Sequence, residues 1–83
     1  MEQAKKSVKN LQKAIEDTEA DKAQGTTLDE ISVHIEEFQK DPEAHDRTLR
    51  ERLETALLEF DAEHHPLSET MRAAIYDLSN AGV

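Results

Sequence analysis

The sequence predicts an all-α protein, a small bundle of about four amphipathic helices forming a single domain over residues 1–83. Three observations carry that prediction. Apolar residues are few, 36% of the chain, yet they recur at spacings of three and four, the period of a helix with one buried face. Two Gly and two Pro leave little turn chemistry for a many-stranded sheet, and no stretch alternates β-branched residues with polar ones. Finally, stop and start signals cut the chain into four helical lengths, predicted at about 2–23, 27–40, 42–63 and 67–81.

The first helix places Ala4, Val8, Leu11, Ile15 and Thr18 at alternating steps of four and three, a narrow seam of coiled-coil type. Lys5, Lys6, Lys9 and Lys13 crowd its front, while Glu16, Asp17, Glu19 and Asp21 crowd its end. That order opposes the helix dipole, so the ends should fray unless tertiary contacts hold them. Gly25, which tolerates a left-handed cap, is the expected stop. Thr27-Leu28-Asp29-Glu30 then reads as a capping box opening the second helix. Leu28, Ile31, Ile35 and Phe38 form its buried stripe, and Val33 points away from them.

Asp41-Pro42 closes the second helix, because a residue before Pro avoids the α region; the third starts either at Pro42, which suits a first turn, or nearer Asp46. Leu49, Leu53, Ala56, Leu57 and Phe60 make the next stripe, with Leu58 beside it. The corner His64-His65-Pro66 breaks that helix. The fourth starts at Pro66 or is capped by Ser68, and it buries Leu67, Met71, Ala74, Ile75 and Leu78. Gly82 and Val83 fit a Schellman cap packing back on Leu78. Short connections predict two hairpins, the first helix with the second and the third with the fourth.

Composition sets the outer limits of function. A chain of this length buries only roughly 60 to 65% of its unfolded surface, so the core is thin. With no Cys there is no disulfide framework, thiolate nucleophile or zinc ribbon. The net charge of −9 argues against a nucleic-acid partner, since phosphate neutralisation needs clustered Lys and Arg in excess. Apolar runs of two or three residues exclude a membrane-spanning helix and a signal peptide, so an intracellular, soluble protein is the expectation.

The C-terminal half carries a resemblance. Leu49-Arg50-Glu51-Arg52-Leu53-Glu54, Phe60-Asp61-Ala62-Glu63-His64, Pro66-Leu67 and the terminal Leu78-Ser79-Asn80-Ala81-Gly82-Val83 resemble domain-of-unknown-function family 4404. Asp61 stands where that pattern has Glu, a second His doubles its His-Pro, and Val83 replaces a final Ile. The resemblance covers roughly the last 35 residues and implies a bacterial, cytoplasmic, helical protein. It brings no activity, cofactor or catalytic residue.

Of the candidate chemistry, Asp61-Ala62-Glu63-His64-His65 is the densest run of metal-ligating types. A zinc or nickel site needs three or four ligands converging at about 2.0 to 2.2 Å. Adjacent helical His residues diverge by about 100°, so His64 and His65 do not readily share one ion. His45 and Asp41 join such a set only if folding brings them in, and His34 borders the core beside Ile31 and Phe38. No Ser-His-Asp arrangement, phosphate loop or His-Glu-x-x-His motif is present. The expectation is therefore a non-catalytic interaction or regulatory module without a cofactor. The alternative is a metal- or small-ligand-binding module using Asp61, Glu63, His64 and His65. A thin core predicts a homodimer with the first helix at or near the interface, through Val8, Leu11, Ile15, Val33 and Leu58.

Overall fold

The computed structural model describes residues 2–18, 22–60 and 65–81, with side chains for 2–18, 25–60 and 66–80. Among the described residues four helices follow one another, α1 (Glu2–Glu16), α2 (Lys22–Lys40), α3 (Pro42–Phe60) and α4 (His65–Ala81). No strand occurs among the described residues. The Cα radius of gyration is 11.6 Å, close to the roughly 12 Å expected of a compact chain this long. A 19-residue helix is about 28 Å long, so α2 and α3 account for most of the 34 Å long axis.

One core holds the bundle together. Every helix contributes its stripe to it: Ala4, Val8 and Leu11; Leu28, Ile31, Ile35 and Phe38; Leu49, Leu53, Ala56 and Phe60; Leu67, Met71, Ala74 and Leu78. Ala14, Ile15, Leu57 and Ile75 pack at its edge, half covered. The periodicity of the sequence thus becomes burial with few exceptions. The pairing of helices differs from expectation. The third and fourth helices do pack together, but α1 lies chiefly against α4 and only lightly against α2, while α2 pairs closely with α3. The reason lies in the connections. A single residue, Asp41, separates α2 from α3 and forces them into a tight hairpin.

The break between the first two helices also falls elsewhere. It was expected at Gly25, with helix 1 running to about residue 23, but α1 stops at Glu16 and α2 already begins at Lys22. The end of α1 tightens into an i→i−3 bond, Thr18 N to Ile15 O at 3.2 Å, and the Thr18 hydroxyl donates to the Ala14 carbonyl at 2.7 Å. A side chain that takes a helix carbonyl competes with the next turn. The acidic run from Glu16 adds to this, since it repels the end of α1 but favours the start of a following helix. Gly25 consequently sits inside α2, without positive φ. Thr27 is five residues into that helix, so it caps nothing. Its hydroxyl instead donates to the Glu59 carboxylate of α3 at 3.0 Å.

Pro42 opens α3, where its missing amide hydrogen costs no helix bond, and Asp41 N returns to Glu37 O at 3.1 Å to finish α2. In α4, Pro66 takes the second position, and Ser68, one of the two residues read as a possible helix start, lies buried within the helix. The proposed C-terminal cap at Gly82 and Val83 lies outside the described residues.

Candidate functional site

Polar chemistry concentrates on the face shared by α2 and α3. Thr27, Glu30, Ile31 and His34 from α2 meet Arg52, Thr55, Ala56 and Glu59 from α3 around a groove of about 140 Å³. Helical spacing explains the set. Residues 27, 30, 31 and 34 recur at three, one and three, one flank of α2, and 52, 55, 56 and 59 repeat that pattern on α3. Ile31 and Ala56 belong to the core and make the floor, while Glu30, Arg52, Thr55 and Glu59 stand exposed on the rim. Two carboxylates, a guanidinium, an imidazole and two hydroxyls line a space well below the roughly 300 to 1,000 Å³ of small-molecule sites. The groove has hydrogen-bonding capacity but little enclosure.

Closer to the Asp41 corner, Glu37 stands between two imidazoles. Its Oε2 lies 3.9 Å from Nδ1 of His34 and 3.9 Å from Nδ1 of His45. All three side chains are partly exposed, so such contacts contribute at most about 1 kcal/mol each. Folding therefore brings His45 to α2. Among the described residues, no three His, Asp or Glu side chains gather as a metal site. The run Asp61, Glu63, His64 and His65 falls outside the described side chains.

The residues expected at an intersubunit surface divide into two groups. Val33 is 53% exposed and Leu58 84%, each about half a turn from its helix's core stripe. Val8 and Leu11, by contrast, are fully buried in this chain's own core, and Ile15 is half covered. This corrects the reading of the first helix as an outward seam. The same narrow stripe that would suit a second copy is already taken up within the chain, chiefly by packing of α1 against α4. That packing includes a hydrogen bond from the Ser7 hydroxyl to the Asp77 carboxylate, with Ser7 nearly buried. Tyr76, 69% exposed on the outer face of α4, is a further exposed apolar side chain, outside the surface expected from the sequence. Its position half a turn from Met71 and Ala74 was the available signal.

The outer face of α1 is the other unusual surface. Lys5, Lys6, Lys9 and Lys13 are all exposed on it. Lys9 and Lys13 flank a shallow depression with Asn10, Gln12 and Glu16. Gln12 marks the edge toward α2, because Gln39 Nε2 donates to Gln12 Oε1 at 3.0 Å.

These features define a small all-α protein, a four-helix bundle with a single apolar core and charged outer faces. The family model for Domain of unknown function (DUF4404) matches residues 4–83, and the chain belongs to that family. The match extends over α1 and α2 as well as the C-terminal half. Comparison with curated proteins and with solved structures gives no match. Several of the residues that carry the resemblance have clear structural duties. Leu49, Leu53, Phe60 and Leu67 fill the core. Arg50 faces Glu54 one turn on, at 3.9 Å, and Arg52 stands on the rim of the α2–α3 groove. No helix among the described residues is long and apolar enough to cross a membrane.

Proposed function

We propose that this protein is a non-catalytic interaction module, a cytoplasmic helical bundle whose first partner is a second copy of itself. The observation that carries the reading is the segregation of charge. Four of the ten Lys and Arg lie in α1 with only two of the nineteen Asp and Glu, leaving six bases and seventeen acids for the rest of the chain. A chain with net charge −9 thus keeps one basic helix face, and opposite faces on one molecule favour contact between copies. The thin core adds a motive, since association stabilises a domain of this size by mass action. The volume of the α2–α3 groove supports a binding rather than a catalytic role, because about 140 Å³ leaves most of a substrate in water.

The test is the melting temperature as a function of concentration. Over about a hundredfold range, a self-associating chain should melt several degrees higher at the top than at the bottom. A melting temperature independent of concentration goes against the proposal.

A further inference from the structure

The geometry points to a two-fold homodimer in which Lys5, Lys9 and Lys13 on α1 of each copy face Asp29 and Glu36 on α2 of the other. This inference rests on the self-association proposed above and specifies the surface. Three features of the two helices support it. The first is position. Gln12 and Gln39 bridge α1 and α2, so the flanks of both helices that carry these residues border one seam. Lys9 lies three residues before Gln12 and Lys5 seven, on the same flank. Glu36 lies three before Gln39, and Asp29 seven before Glu36. Glu30 and Glu37 turn the other way, Glu30 into the α2–α3 groove and Glu37 toward His45.

The second feature is spacing. Lys5 to Lys13 covers eight helical residues, about 12 Å, and Asp29 to Glu36 covers seven, about 10 Å. A lysine row and a carboxylate row of nearly equal length can lie along each other. The third is availability. Lys5, Lys9, Lys13, Asp29 and Glu36 are exposed, and none takes part in an ion pair among the described residues. Val33, half exposed, stands four residues after Asp29 and three before Glu36, where lysine methylenes from the second copy would cover it.

Because basic and acidic rows border the same seam, one rotation satisfies both. A two-fold axis over the α1–α2 seam sets each copy's lysines on the other's carboxylates, two equivalent contacts in a closed dimer. A single long-range attraction between opposite ends would instead propagate into open chains.

Charge reversal with a crossed rescue tests this. One variant carries Lys5→Glu, Lys9→Glu and Lys13→Glu; the other carries Asp29→Lys and Glu36→Lys. All five positions are exposed, so both variants should remain helical, which circular dichroism checks before the comparison. Sedimentation equilibrium at physiological salt should show the dimer of each variant alone weakened at least about tenfold, since like charges then meet in both contacts. Mixed in equal amounts, the two should dimerise to within about threefold of the wild-type affinity, because every contact again joins opposite signs. The Asp29→Lys, Glu36→Lys chain is closer to neutral than the wild type, so general repulsion predicts that it associates better. Self-association of that variant at or above the wild-type level overturns the interface, as does a mixture no tighter than the variants alone. A wild-type dimer with unaffected variants removes only this interface, whereas a wild-type monomer removes the self-association beneath it.

Discussion

Replacing Gly25 with Ala asks directly where α1 ends and α2 begins. Gly25 lies three residues inside α2, has no positive φ, and an added Cβ would meet nothing within 4 Å. No clash opposes the substitution and no buried surface rewards it, so the change reduces to helix propensity. Ala is better than Gly in a helix interior by about 0.8 to 1 kcal/mol, mainly through the lost freedom of the unfolded chain. For a domain of 60 to 100 residues, about 1 kcal/mol moves the midpoint by roughly 4 to 8 °C. Gly25→Ala should therefore raise the melting temperature by about 3 to 8 °C, followed by circular dichroism at a fixed protein concentration. Were Gly25 instead the left-handed stop of a longer first helix, the Cβ would cost about 1 kcal/mol or more. A drop in melting temperature refutes the continuous α2.

Three further outcomes follow from the same packing. Leu11→Ala should cost about 2 to 5 kcal/mol by equilibrium urea unfolding, and by the same amount at low and high concentration, because Leu11 is buried within one chain. A cost that vanishes on dilution would return Leu11 to an intersubunit seam. Ser7→Ala should cost about 1 kcal/mol by loosening α1 from α4 at Asp77, and a neutral result would remove that hydrogen bond from the account. Between pH 8 and about pH 5.5, stability should hold or rise, as added protons reduce the self-repulsion of a chain with net charge −9; a steep loss over that range contradicts this.

The sequence showed most of the core, the Asp41 corner and the pairing of α3 with α4, but missed the boundary between α1 and α2 and the packing of α1 on α4, for different physical reasons. Burial follows from spacing, so Leu28, Ile31, Ile35 and Phe38 could be placed on one face before any fold was known, and Val33 on the opposite one. Helix ends depend on competition among signals. Gly25 and the Thr27–Glu30 pair were strong local signals for a boundary, yet Thr18 closed α1 earlier and α2 ran through both. Propensity at one Gly is about 1 kcal/mol, less than the core contacts that a continuous α2 supports. Partner choice was hidden further still. Nothing local distinguishes Val8 and Leu11 packing within the chain from the same stripe packing on a second copy, because both outcomes bury the same atoms. The α2–α3 groove was equally out of reach, since Arg52 and Glu59 meet Thr27 and Glu30 only after the single-residue corner at Asp41 has set the register.

Sedimentation equilibrium of the wild-type chain over a dilution series decides whether the protein self-associates. A self-associating chain should show an apparent mass near twice 9.4 kDa at high concentration, falling toward 9.4 kDa as the dimer dissociates. A folded species of 9.4 kDa at every concentration contradicts self-association.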